Sequence, residues 1–82
     1  MKLKIFTQPG CPACPSALEL GKKLEKKIKV EYQDIQNEKA LKEAMSYKVM
    51  ATPTLILLDN KDKVKKTWVG TPSEKEILKL TK

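Results

Sequence analysis

Thr54-Leu55-Ile56-Leu57-Leu58 is a continuous apolar run. A strand with one wet face alternates apolar and polar residues, so an unbroken run of this kind reads as a central strand covered on both faces. It calls for strand partners on either side and for helices packed above and below. A chain of 82 residues has room for one such core, and residues 1–82 are expected to form a single domain.

The rest of the chain supplies those partners. Residues 2–7 read as a short strand with Leu3 and Ile5 on one face and Lys2 and Lys4 on the other. After the turn-rich Gln8-Pro9-Gly10-Cys11-Pro12, apolar positions at Cys14, Ala17, Leu18, Leu20, Leu24 and Ile28 predict a helix running to about Lys27. Gly21 lies on the apolar face, where it costs about 1 kcal/mol relative to alanine. Close packing of the helix backbone against a sheet would justify it. Residues 29–35 alternate, with Val30 and Tyr32 on one side, as a half-exposed strand near a sheet edge does.

Asn37 can cap a second helix over about 38–46, with Leu41, Ala44 and Met45 expected to point inward. Asp59-Asn60-Lys61-Asp62 is a turn, and 63–69 returns as a hairpin strand holding Trp68, which is expected to be a packing residue, while Tyr32 and Tyr47 are expected to be packing or surface groups. Thr71-Pro72-Ser73-Glu74 reads as a helix start with threonine as the cap and proline first, and Ile77, Leu78 and Leu80 form that helix's buried face. The order β-α-β-α-β-β-α gives an α/β fold with a four-stranded mixed sheet and three helices. The first helix is long enough for a right-handed crossover between parallel strands.

Charge and missing residue types exclude several functions. The chain has no histidine, which removes histidine triads, histidine metal ligands and histidine proton shuttles. The formal net charge is +7 with 17 basic residues, and every one is lysine. Arginine, the usual reader of guanine edges, is absent, and the lysines are interleaved with glutamates along the chain. They read as a solvated surface, with no specific nucleic-acid partner expected. No apolar run approaches the ~20 residues of a membrane span, and the basic start carries no signal-peptide core. A cytoplasmic location and no membrane partner are expected.

The two cysteines, Cys11 and Cys14, allow one bridge across a short loop. Such a bridge restricts the unfolded chain little, so stapling is a poor reason for it. The setting is more informative, because the pair follows a strand and opens a helix. A helix N-terminus presents unpaired N–H groups and about half a unit of positive charge. Free cysteine, with a pKa near 8.5, is roughly 3% ionised at pH 7; a pKa of about 6.5 would raise that to roughly three quarters. Cys11, at the helix cap, is expected to be the exposed nucleophile. Cys14, one turn on and more buried, would attack the mixed disulfide. Pro12 fits the first helical position. Pro15 removes the first regular helical hydrogen bond, so the helix should begin irregularly. Two cysteines at this spacing are also half of a zinc site, which would need a second subunit. Soft thiolates also suit a copper chaperone.

Cys11-Pro12-Ala13-Cys14 after the first strand, Thr52-Pro53 before the third and Gly70 after the fourth, in this order, resemble the thioredoxin/glutaredoxin superfamily over nearly the whole chain. The likeness is greatest to its small glutaredoxin-like and archaeal thioredoxin-like members. The resemblance implies the minimal thioredoxin-like fold and a thiol-disulfide oxidoreductase that reduces protein disulfides. It would hold no bound cofactor and no metal, only a redox-active Cys11–Cys14 disulfide. Pro12, Ala13 and Pro53 would support the site. Thr52-Pro53 would be a cis peptide facing the cysteines, its backbone pairing with an extended substrate segment. Thr52, Met50, Gly70 and Thr71 would line the substrate groove.

Gly10 stands where thioredoxins usually carry tryptophan, and Leu3-Lys4-Ile5-Phe6 lacks their buried acid; both departures favour the glutaredoxin-like branch. Gln8 and Thr71 stand where glutathione users tend to have lysine and a second glycine. A protein reductase is therefore the expected electron donor to this monomer, with a glutathione-dependent glutaredoxin as the alternative.

Overall fold

In a computed structural model describing residues 1–81, the chain forms β1 (Lys2–Thr7), α1 (Cys14–Leu24), β2 (Lys29–Asp34), α2 (Glu38–Ser46), β3 (Thr54–Leu58), β4 (Val64–Val69) and α3 (Glu74–Leu80). Lys82, the last residue of the expected domain, lies outside the described residues. The sheet order is β2-β1-β3-β4, with β1 parallel to β2 and antiparallel to β3, and β3 antiparallel to β4. This is the four-stranded mixed sheet with three helices expected from the sequence.

All five residues of β3 are buried. On one face Leu55 and Leu57 pack with Leu3 and Ile5 of β1, with Ala17, Leu20 and Leu24 of α1, and with Ile77 of α3. Trp68 packs against this cluster. On the other face Ile56 and Leu58 meet Phe6 and Ala44, with Tyr47 tilted against Phe6 at a ring separation of 6.2 Å.

The second face is partly polar. Lys4, directly opposite Glu31 in the β1–β2 register, pairs with Glu31 at 3.3 Å and with Glu43 of α2. Asn37 caps α2 as expected, its side chain accepting from the N–H groups of Lys39 (2.9 Å) and Ala40 (3.4 Å). However, α2 turns Ala40 and Ala44 to the sheet, while Leu41 and Met45 are exposed. Small side chains let the short helix approach the sheet closely, and the larger residues, about 100° further round, cannot share that contact.

Two helix boundaries differ from the sequence reading. The first helix stops at Leu24 instead of Lys27, because the Leu24 carbonyl accepts from both Lys27 and Ile28 N–H at 2.9 Å, a turn that delivers the chain to β2. The cap of α3 is Ser73, not Thr71, and Pro72 precedes the helix; Ser73 Oγ accepts from Glu76 N–H at 3.2 Å. Thr71-x-x-Glu74 and Ser73-x-x-Glu76 are overlapping capping signals, and the second is used.

Gly21 explains its cost. A Cβ there would stand 2.7 Å from Ile5 Cδ1 and 2.9 Å from Tyr32 Cε1. Gly21→Ala is therefore expected to lower stability by about 1 kcal/mol, overpacking outweighing the better helix propensity. A rise in the urea midpoint would show that Ile5 and Tyr32 yield.

Burial pulls the Lys4 ammonium pKa down, but bonds to Glu43 and Glu31 outweigh it, and the net shift is upward. Above the unfolded value of about 10.4 the native state holds this proton more tightly, so the contribution is complete below that pH and lost as pH rises through the raised value. Tyr32, pushed up to about 12 by burial and by Glu25, also lowers stability with rising pH in that range. Wild type should lose stability more steeply than Lys4→Met between about pH 10 and 12, as read from urea midpoints. Parallel curves would refute the ion-pair contribution.

Candidate active site

Strand register gathers the site at one end of the sheet. Phe6 of β1 pairs with Thr54 of β3, and Thr54 pairs with Val69 of β4. The exit of β1, the entry to β3 and the exit of β4 therefore lie side by side. They carry the loop to Cys11, the Thr52-Pro53 bond and Gly70 respectively. The Thr52-Pro53 peptide is cis. Pro53 is buried, and its carbonyl accepts from Gly70 N–H at 2.8 Å. Gly70 has φ +95 with open space around its Cβ position, so backbone conformation, not crowding, favours glycine there. The exposed Thr71 follows it.

The cysteines are bridged, with Cα atoms 5.4 Å apart. Cys14 is 4% exposed and is the first residue of α1, whereas Cys11 is half-buried in the preceding loop. The cap of α1 is Ala13, not Cys11, and Pro12 lies in the turn before the helix. Pro15 is the reason. It has no N–H for the Cys11 carbonyl, which accepts from Cys14 N–H at 3.3 Å instead, so the helix begins with a tight turn and its regular ladder starts later.

The α1 N-terminus has no side-chain cap and no acidic residue in its first turn. Its amides and its end charge are thus unopposed where the two sulfurs sit. Among the described residues no group of three or more cysteine, aspartate or glutamate side chains gathers to hold a metal. The pair alone supplies two of the four ligands that tetrahedral zinc takes.

Cys11, Pro12, Ala13, Cys14, Thr52, Pro53, Gly70 and Thr71 thus share one end of the sheet. Met50 belongs to a cleft on the α2 side of this end, lined also by Gln8, Leu41, Met45, Val49 and Thr52. The contribution of Leu41 and Met45 to this cleft was hidden by their helical spacing, which reads as core. A signal was present nonetheless. Residues 8–16, 35–37, 49–53 and 69–73 contain no charged residue in a chain that is 33% charged, and these are the loops at this end of the sheet.

The thioredoxin domain family matches residues 1–82. The chain belongs to the thioredoxin family. It is 27% identical to a thioredoxin of Methanocaldococcus jannaschii over all of this chain and 93% of that protein. It is 33% identical to a probable thioredoxin of Methanothermobacter thermautotrophicus over 94% of this chain and 87% of that protein. Among solved structures, thioredoxin 1 of Thermosipho africanus superposes with a TM-score of 0.74 at 22% identity, covering 99% of this chain and 90% of that one. A thioredoxin-2 described as a component of malaria parasite protein secretion machinery superposes with a TM-score of 0.81 at 24% identity, covering 98% and 79%; these two likenesses concern the fold.

A thioredoxin-family chain with a bridged cysteine pair opening its first helix is a thiol-disulfide oxidoreductase. Gly10 and the acid-free first strand pointed toward the glutaredoxin branch. The relatives fall on the archaeal thioredoxin side, and the glutathione-dependent alternative is not favoured.

Proposed function

We propose that this oxidoreductase reduces disulfide bonds in other proteins, with Cys11 as the attacking thiolate and Cys14 as the resolving thiol. One observation carries the reading: the more accessible Cys11 is bridged to the buried Cys14 at the uncapped head of α1.

In the reduced chain, Cys11 thiolate attacks one sulfur of a substrate disulfide. A mixed disulfide forms and the second substrate sulfur leaves as thiolate, taking a proton from solvent. Cys14, deprotonated in turn, attacks Cys11 Sγ. The Cys11–Cys14 bond forms and the first substrate sulfur leaves. Two electrons pass to the substrate, and a reductant must return two to the pair. Exposure decides the order, because a buried sulfur cannot be reached by a protein disulfide until the accessible one has captured it.

Pro12 and Ala13 hold the turn between the sulfurs. Thr52, the cis peptide to Pro53, and Gly70-Thr71 line the path of an extended substrate strand, with Met50 beside it. Gln8 and Thr71, in place of a lysine and a second glycine, support a protein reductase over glutathione as electron donor. A pair that must return to the dithiol state works in a reducing compartment, which supports a cytoplasmic location. Lysines on the outer strands, Lys29 on β2 and Lys65 and Lys66 on β4, discourage edge-to-edge pairing and support a monomer.

With dithiothreitol as electron source, the chain should reduce insulin disulfides, Cys11→Ser should be inactive, and Cys14→Ser should accumulate mixed disulfides through Cys11. Trapping through Cys14 in the Cys11→Ser variant would reverse the assignment. The alkylation rate of Cys11 in the reduced chain should follow a midpoint below the ordinary value of about 8.5; a midpoint at or above it would contradict the influence of the helix end. Supplying a protein reductase or glutathione in separate arms identifies the donor.

A further inference from the structure

We infer that the open groove between β4 and α3 is a docking site for an acidic segment of a partner protein, one that carries a large apolar or aromatic side chain among its carboxylates. The groove lies on the α1–α3 side of the sheet, and the inference does not depend on which cysteine attacks.

Strand register builds one wall of the groove. Trp68 and Lys66 of β4 stand opposite Leu55 and Leu57 of β3, and side chains directly opposite in an antiparallel pair share a face. Leu55 and Leu57 pack with Ile77 of α3, so Trp68 and Lys66 point to the α3 side. Glu76, Lys79 and Leu80 form the other wall, their spacing of three and four placing them together on the helix. Ile77 is the buried anchor of α3, whereas Leu80 is only half-buried, and a gap is left beside β4. One lysine ties the two walls together. Leu57 pairs with Lys66 and Leu58 with Val64, so Lys65 is the extra residue of a bulge. Its Nζ donates to the Leu80 carbonyl at 2.7 Å.

Size and charge select the occupant. Trp68 and Leu80 are half-buried and form an apolar floor, while Lys66, Lys79 and Glu76 are exposed around it. The volume is about 240 Å³, more than the ~150 Å³ of a cavity known to accept a benzene ring and less than the ~300 Å³ at which small-molecule pockets begin. That suits one large side chain of a polypeptide. Lysines outnumber the single glutamate in the lining, Lys65 stands beside them, and the chain carries a formal net charge of +7. An acidic segment is therefore attracted, and a second copy of this chain is repelled. Single-stranded nucleic acid fits less well. It stacks successive bases on several rings, whereas Trp68 is the one aromatic residue of the lining. Trp68 also stands two residues before Gly70, roughly 7 Å along the strand, so a segment seated here holds its protein near the redox end.

Trp68 is the only tryptophan of the chain, so its emission reports on the groove. The probe is a capped, cysteine-free peptide with a central phenylalanine flanked on both sides by glutamates. Titrated into the oxidised chain, it should give saturable binding by tryptophan emission and by calorimetry. Alanine in place of the phenylalanine should weaken binding about tenfold, and lysines in place of the glutamates should abolish it. Lys66→Gln combined with Lys79→Gln should weaken it about fivefold and flatten its salt dependence. Glu76→Gln should tighten it. All three substitutions are at exposed positions. Absence of saturable binding up to a few millimolar peptide, equal affinity for the lysine twin, or indifference to the double substitution would overturn the docking site. So would tighter binding of oligothymidylate than of the peptide, or a dimer in sedimentation that the peptide dissociates, which would give the groove to nucleic acid or to a second copy. No disulfide exchange enters the assay, so either outcome leaves the Cys11 reading untouched.

Discussion

The burial of β3 on both faces is the constraint from which the rest follows. A five-residue strand with no solvated face must be hydrogen-bonded along both edges, and β1 and β4 do this. Its first neighbour upstream, Pro53, has no N–H to extend the ladder, and its carbonyl is taken by Gly70. The strand that organises the core therefore also positions the cis peptide and the glycine turn beside the point where β1 releases the chain toward Cys11. Core and site are not separable designs here, since the register that buries Leu55 and Leu57 aligns the three loops.

The two sides of the sheet are built on different terms. The α1–α3 side is apolar and close enough that Gly21 has no room for a methyl group. The α2 side is smaller, and Lys4 with Glu31 and Glu43 shares it with the apolar cluster. A mostly buried ammonium is tolerable only with partners, and Lys4 has one on the neighbouring strand and one on the helix above. An alanine-faced helix tied by such a group leaves its larger residues unused by the core, which is how Leu41 and Met45 come to lie beside the redox loops.

Much of this was legible in the sequence because local and tertiary signals agree. The apolar run of β3, the alternation of β2, the Asn37 cap and the order of elements each had a single reading. Errors arose where two readings shared one pattern. Leu41 and Met45 have core spacing, but so do Ala40 and Ala44, and only the distance between helix and sheet decides between them. Thr71 and Ser73 both start capping boxes. Cys11 was placed at the helix cap because Pro12 suits a first helical position, whereas Pro15, read in the same sequence as making the start irregular, denies the Cys11 carbonyl its helical partner and moves the cap to Ala13. The loop end of the sheet was legible in another way, through the absence of charge from segments that are far apart in the chain and adjacent in the fold.

The absence of histidine from the chain, and of acids from the loops around the cysteines and the first turn of α1, narrows how the proposed attack is tuned. No side-chain base stands in the loops around Cys11, and the first turn of α1 holds no carboxylate to oppose a thiolate. The influence left is that of the helix end, and Pro15 removes one of its amides. Such a thiol should be shifted below the ordinary cysteine value without being driven to an extreme. That is a useful compromise. Nucleophilicity falls as thiol pKa falls, and exchange is fastest when the attacking thiol has a pKa near the ambient pH. A backbone-only device, weakened by one proline, would set Cys11 in that range and leave the surrounding surface uncharged for the polypeptide it must meet.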